Sequence, residues 1–377
     1  MIKNKLGNFV KIRTGKLDAN ASSIDGEYPF FTCSKQPLKI SSFSYDCKCV
    51  LVAGNGDLNV KYYEGKFDAY QRTYIIESRD ESILDTRYLY WFLFKYVEKL
   101  RELSIGGVIK YIKINNLTDP IIPIPPIEDQ KRIVKILDEA DAMHQKRKQA
   151  IILLDDYLKS VFLEMFGNPT NNPMRWDVKK IENITSSQKY SIRMGPFGSQ
   201  LKKHELVNDG IKVIWIEDIV KNKFNWIEKN GKCITPDKYN QLKGFETKED
   251  DILITNMGTI GRTAVVPKNF GKAIISSHLL KITPNTNLVN SIFLSEYIKS
   301  DFACNYFDKV AHGQIMKGLN TTKIKNLPII LPDIKLQNRF SDTFKKINEI
   351  KQTMIAQSKK LENQFQALMQ KALKGEL

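Results

Sequence analysis

The chain has 377 residues, 42% hydrophobic and 10% aromatic, enough for two or three domain cores and too apolar for wholesale disorder. Lys and Arg number 58 against 42 Asp and Glu, a formal charge of +16 that points to an anionic partner; nucleic acid is the first candidate, with a membrane surface or a merely basic proteome as alternatives. Five scattered cysteines (Cys33, Cys47, Cys49, Cys233, Cys304) do not read as a disulfide framework, and neither a signal-peptide core nor an apolar run of the roughly 20 residues needed to cross a bilayer occurs, so the expected setting is cytoplasmic.

In chain order, residues 49–53 and 73–76 read as strands and residues 88–95 as an amphipathic helix. Pro120, Pro123, Pro125 and Pro126 then mark an extended joint, because proline is excluded from helix interiors and central strands. Beyond it Ile133, Leu137, Ala140, His144, Arg147, Ile151, Leu154, Leu158, Val161 and Met165 step by alternating fours and threes, the seam of a long coiled-coil helix. Gly167-Asn-Pro-Thr-Asn-Asn-Pro173 ends that helix. Residues 252–255 and 279–282 read as strands, 293–299 as a helix, and Pro328 with Pro332 as a second joint. A second seam follows: Phe340, Phe344, Ile347, Lys351, Met354, Ser358, Leu361, Phe365, Leu368 and Ala372.

The second half repeats the first. Gly106/Gly313, Lys110/Lys317, Ile122/Ile329, Pro125/Pro332, Ile127/Ile334, Gln130/Gln337 and Arg132/Arg339 are identical at a constant offset of 207, without a gap. Lys5-Leu-Gly-Asn-Phe9 matches Lys180-Ile-Glu-Asn-Ile184 at 175, so the second copy is longer by 207 − 175 = 32 residues, placed between the anchors. Two like units burying like against like imply a pseudo-twofold with antiparallel helices. The boundaries expected are a first globule at 1–125, its helix at 126–170, a second globule at 171–332 and its helix at 333–377.

Catalytic motifs are not evident. Gly15-Lys16, Gly65-Lys66, Gly231-Lys232 and Gly271-Lys272 lack the following hydroxyl of a phosphate-binding loop. Cys33, Cys47 and Cys49 have no neighbouring His to complete a zinc site. Asp237, Glu246 and Lys248 have the order of a metal-dependent nuclease motif, though Asp/Glu-x-Lys recurs by chance in a Lys-rich chain. Asn168-Pro-Thr and Asn172-Pro-Met do not match the Asn-Pro-Pro-aromatic motif of adenine methyltransferases.

The units Ile124-Pro-Pro-Ile-Glu-Asp-Gln-Lys-Arg-Ile133 and Leu331-Pro-Asp-Ile-Lys-Leu-Gln-Asn-Arg-Phe340 resemble the junctions that end target-recognition domains in specificity subunits of type I restriction-modification systems. Gly195-Pro-Phe-Gly-Ser-Gln200 and Gly258-Thr-Ile-Gly-Arg262 are similar to segments of those domains; the first copy offers Gly54-Asn-Gly-Asp57 instead. The resemblance implies an α+β chain: two target-recognition domains with mixed sheets, joined by two long antiparallel coiled-coil helices. It also implies a non-catalytic subunit that reads a bipartite, asymmetric sequence in double-stranded DNA. Two adenine methyltransferase subunits and restriction/translocase subunits would be its partners, with S-adenosylmethionine, ATP and Mg²⁺ on them and no cofactor here. The alternatives are a nuclease using Asp237, Glu246 and Lys248, and a coiled-coil adaptor without DNA specificity.

Phosphate contacts come from Lys and Arg beside Gly loops, and base contacts favour Gln, Asn, Ser and Arg. These preferences nominate Gln71, Arg72, Lys110, Tyr111 and Lys113 in the first copy. In the second they nominate Ser199, Gln200, Lys202, Lys203, Arg262, Gln314 and Lys317. Lys110 and Lys317 occupy the same place in both copies, so they should position the DNA backbone and not choose bases.

Overall fold

A computed structural model describes residues 2–220, 223–257, 261–311 and 318–374. The chain divides into two compact units, residues 1–151 with 353–377, and residues 152–352.

The first unit contains β1 (Ile2–Lys5), β2 (Val10–Thr14), β3 (Tyr28–Phe31), β4 (Leu38–Ile40), β5 (Tyr45–Ala53), β6 (Val60–Ala69), β7 (Thr73–Ser78), helix α1 (Thr86–Leu103) and β8 (Ile121–Ile124). Six strands form one sheet in the order β2-β7-β5-β6-β3-β4, antiparallel except for β3 beside β6. A parallel bridge from Leu17 to Tyr70 draws the chain after β2 onto the chain after β6, so the sheet curls. Val50 and Val52 of β5 pack beneath Tyr88, Leu89 and Trp91 of α1, while Cys49 and Leu51 point the other way, among Phe31, Tyr45, Phe67 and Ile75. Burial on both faces is why this strand reads as an unbroken apolar run. Helix α1 starts where it does because Asp85 caps it, its carboxylate accepting from Tyr88 N at 2.8 Å.

The second unit contains β9 (Asp177–Lys180), β10 (Ile192–Met194), β11 (Ile211–Ile214), β12 (Cys233–Ile234), helix α2 (Pro236–Leu242), β13 (Ile252–Thr255), β14 (Thr263–Val265), β15 (Ala273–Ile275), β16 (Leu279–Ile282), helix α3 (Ser291–Ile298) and β17 (Pro328–Leu331). One sheet runs β10-β16-β13-β14 and a smaller one β12-β11-β15, whose β11 and β15 are parallel. The fold is therefore α+β with mixed sheets, as the sequence implies.

The proline joints are extended, as expected, but they are also strands. β8, with Pro123, pairs antiparallel with β1, and β17, with Pro328, pairs with β9. Each is a two-stranded ribbon, where every strand is an edge and a missing N–H is tolerated. The repeat is thus visible in hydrogen bonds: β9 follows β1 by 177 − 2 = 175 residues, and β17 follows β8 by 328 − 121 = 207.

Gln130 and Gln337, both fully buried, lock each joint. Gln130 Nε2 donates to Ile83 O (2.7 Å) and Pro125 O (2.9 Å), and its Oε1 accepts from Asp85 N at 2.9 Å. Gln337 repeats this with Leu288 O (3.2 Å), Pro332 O (2.8 Å) and Asn290 N (2.9 Å). Asp85 and Asn290 are the N-caps of α1 and α3, so these helices correspond at 290 − 85 = 205. Most of the second copy's surplus, 205 − 175 = 30 residues, therefore precedes α3, in the stretch that holds the additional small sheet.

The two long helices are Ile127–Phe166 and Ile334–Lys374. Every position of both seams is buried or half-buried. In the first unit Ile133 and Leu137 share a core with Phe365, Met369 and Ala372, and the His144 ring meets Glu362 at 3.1 Å. In the second unit Phe162 and Phe166 pack on Phe340, and Lys351 pairs with Asp155. Within each unit the two helices run antiparallel, as the repeat predicts. The two polar contacts are equivalents: 351 − 144 and 362 − 155 both equal 207.

Candidate nucleic-acid interface

In the first unit the nominated residues lie at loops that backbone hydrogen bonds tie together. Gly54, just past β5, donates to Arg72 O at 2.8 Å and accepts from Ile112 N at 2.9 Å, while Gly56 N donates to Lys110 O at 2.9 Å. Adding a Cβ to Gly54 would bring it 2.4 Å from Arg72 O, so only glycine admits this crossing. The structure therefore brings Gln71 and Arg72 beside Lys110, Tyr111 and Lys113, all five exposed. Gln71 N donates to Leu17 O at 2.8 Å and its Nε2 to Asp18 at 2.7 Å, and Asn116 accepts from Lys113 N at 2.8 Å, which fixes both backbones.

Sequence reasoning missed Asn55 and Lys61 in this cluster. Asn55 bridges to Tyr111. Lys61 donates to Asn59, whose side chain also donates to Cys33 O, and the Cys33 thiol in turn faces Arg72 O. Burial lowers the Lys61 ammonium pKa to about 8. An Asn-Gly pair directly after an apolar strand is a turn signal that marks this place.

In the second unit Gly195 N donates to Leu279 O at 2.9 Å, and a Cβ there would meet Ser276 O at 1.9 Å, so the loop carrying Ser199, Gln200, Lys202 and Lys203 departs from the β15–β16 corner. Phe197 N donates to Gln200 Oε1 at 3.0 Å, closing a turn that leaves Phe197 70% exposed. Arg262, half-buried, exchanges bonds with Thr255 at the end of β13. Next along, Asn256 N donates to His278 O at 3.2 Å and Asn256 O accepts from Leu319 N at 3.1 Å. Asn256, whose Nδ2 also donates to Ser277 O at 3.3 Å, and His278 are not nominated by the sequence. Gln314, Lys317 and the stretch 258–260 of the Gly258–Arg262 segment lie outside the described residues.

The two clusters share a mount. Leu319 donating to Asn256 repeats Ile112 donating to Gly54, with 319 − 112 = 207, each acceptor lying just past a central strand. Gly54-Asn55 thus holds the place of Asn256-Met257, although the residues differ.

The nuclease arrangement is corrected by the geometry. Asp237 is exposed in the first turn of α2, Glu246 accepts from Tyr239 Oη, and Lys248 extends to Gln188. Asp251 and Lys281 form a buried pair at 3.7 Å, burial pushing the carboxyl up and the ammonium down. Among the described residues no three His, Cys, Asp or Glu side chains converge as a metal would need. Cys47 and Cys49 are neighbours on β5, and hydrogen bonding with Cys49 lowers the Cys47 thiol, whereas Cys33 faces Arg72 O. Gly15 packs on the Ala69 and Tyr70 carbonyls, leaving no amide cradle for phosphate. No described helix is long and apolar enough to cross a membrane.

The family model described as the type I restriction modification DNA specificity domain matches residues 3–152 and 176–363. The EcoDI specificity subunit of Escherichia coli is 41% identical over 155 residues, 41% of this chain and about a third (34%) of that protein. The MjaVIII specificity subunit of Methanocaldococcus jannaschii is 20% identical over 400 residues, covering 99% of this chain and 92% of its own. A type I restriction-modification S subunit from M. genitalium has the same fold, with a TM-score of 0.62 at 15% identity, covering 99% of this chain and 96% of that one.

Proposed function

The chain belongs to the type I restriction-modification DNA specificity family, and from that premise we propose that it reads a bipartite, asymmetric target in double-stranded DNA without catalysis of its own. One observation carries this reading: the same stapled mount, Ile112 on Gly54 and Leu319 on Asn256, presents different loops in the two units. A common mount with divergent loops suits two unrelated half-sites. Gln71, Arg72, Tyr111, Lys113, Ser199, Gln200, Lys202, Lys203, Arg262 and Gln314 are the proposed contacts, with Lys110 and Lys317 on phosphates. Two adenine methyltransferase subunits, and through them restriction/translocase subunits, are the proposed protein partners. Exposed Ile152, Leu153 and Tyr157 on the first long helix give such a partner apolar surface. S-adenosylmethionine, ATP and Mg²⁺ belong to those partners.

The test is to map methylated sites in cells expressing the full chain with its methyltransferase subunits, then to measure binding to the mapped duplex. Two different half-sites separated by unread bases are expected; a palindrome or a continuous site refutes the reading. Lys110→Ala should weaken all sequences alike and lower the salt slope by about 0.9, one phosphate contact. Unchanged affinity with a changed recognition sequence refutes that role.

A further inference from the structure

The loop that carries Lys110 ends in an unusual tip. Ile105 and Tyr111 exchange backbone hydrogen bonds (3.0 and 2.8 Å), and Lys110 O and Ile112 N are tied to Gly56 and Gly54. Gly106 sits at φ +118°, where a Cβ would stand 2.6 Å from Ile109 O, so the turn depends on glycine. On this braced hairpin Val108 is 103% and Ile109 63% exposed; exposed Lys110 follows directly, and exposed Lys113 and Arg72 lie next to the chains that bond to Gly54. Two adjacent apolar side chains held in water next to Lys110, on a chain of net charge +16, call for a partner that is anionic outside and apolar within. Stacked nucleic-acid bases between phosphates have that character.

The sequence adds a second, independent observation. At the constant offset of 207 the second copy has Ile315-Met316-Lys317, again two apolar residues followed by Lys; these lie outside the described residues. The interiors of the copies differ by 32 residues, yet this pattern recurs, so its task is common to both copies and is not base choice.

We propose, resting on the function proposed above, that Val108 and Ile109 enter between stacked base pairs as an apolar wedge that opens one step while Lys110 holds the adjacent phosphate. A base that is to be modified must leave the stack, and opening a neighbouring step lowers the cost of that departure.

The experiment uses the full chain with its methyltransferase partners and the mapped duplex, with 2-aminopurine placed at successive positions of the half-site. Wild-type protein is expected to raise the fluorescence several-fold at one step. V108S/I109S, both surface changes, should leave it flat and bind the intact duplex about tenfold more weakly. The variant should regain wild-type affinity on a duplex already mismatched at that step. Undiminished fluorescence from the variant overturns the wedge. So does reproduction of its loss in wild-type protein by replacing a thymine with uracil, which would mean a methyl contact. Loss of the methyltransferase subunits with DNA affinity intact overturns it too, since the tip would then be a protein contact. Failure of wild-type protein to bind any duplex overturns the DNA reading itself.

Discussion

Replacing Gln130 by Met, a side chain of similar length, removes three hydrogen bonds from a fully buried position while keeping its volume. Asp85 N and the buried Pro125 O would lose their partner, and Ile83 O would lose one beside a partly exposed side chain. At about 1–3 kcal/mol for each orphaned buried group, with the Ile83 carbonyl partly rescued by water, the cost is about 3–5 kcal/mol. For a urea slope of about 2 kcal/mol/M this lowers the unfolding midpoint of the first unit by about 1.5–2.5 M. Hydrogen exchange read by mass spectrometry along the chain resolves the two units, which a single melting curve would merge. Amides of β1, β8 and α1 should lose protection while β9, β17 and α3 keep theirs, and Gln337→Met should do the reverse. A midpoint shift below about 0.3 M, or equal loss in both units for either variant, would refute the idea that each glutamine locks its own joint.

Two further outcomes follow from charge. Lys61, at about 8 when folded and at its ordinary value of 10.5 when unfolded, binds fewer protons folded than unfolded between those values, so its burial penalty acts fully below pH 8 and fades as pH rises to 10.5. The stability advantage of Lys61→Met over wild type, measured by urea unfolding, should narrow across that window; a constant gap contradicts the lowered ammonium. Asp155→Lys sets two ammonium groups together and should cost about 1 kcal/mol, which Lys351→Asp in the same chain largely restores; additive losses in thermal melting would mean the pair does not interact.

The parts of the fold that announced themselves did so through periodicity. Residues 252–255 and 279–282 are strands β13 and β16 to the residue, because each is a short, mostly apolar stretch buried on both faces, with Lys281 inside β16 paired to Asp251. Only 49–53 of β5 was visible, since Asp46 and Lys48 interrupt the apolar pattern at its exposed start. Helix α1 continues to Leu103, past the 88–95 window, because its later turns carry Glu98, Lys99, Arg101 and Glu102 and look like a solvated loop. The small sheet of β11, β12 and β15 went unread, two of its strands, β12 and β15, having only two and three residues, too few to show a period. Nearness of Arg72 to Lys110 was likewise hidden, because it depends on Gly54 bonding to both neighbouring chains. Asn256 stood next to a recognised segment but carries no motif of its own, and its role is to link Leu319 to His278.

The equivalent polar contacts give the long helices a way to reject misalignment. Each helix presents a nitrogen donor and, eleven residues later, a carboxylate: His144 then Asp155, Lys351 then Glu362. The contacts at His144–Glu362 and Asp155–Lys351 share one antiparallel register, since 144 + 362 and 155 + 351 both equal 506. A slip by one heptad would keep apolar positions facing apolar positions, and so hydrophobic packing alone would tolerate it. The same slip would put His144 opposite Ile355 or Met369, and Lys351 opposite Lys148 or Phe162. Stripping the buried His144 of its partner costs about 1–3 kcal/mol, and losing the more exposed Lys351–Asp155 contact about 1 kcal/mol. Greasy residues thus make the helices adhere, while two polar contacts favour this alignment over one a heptad away.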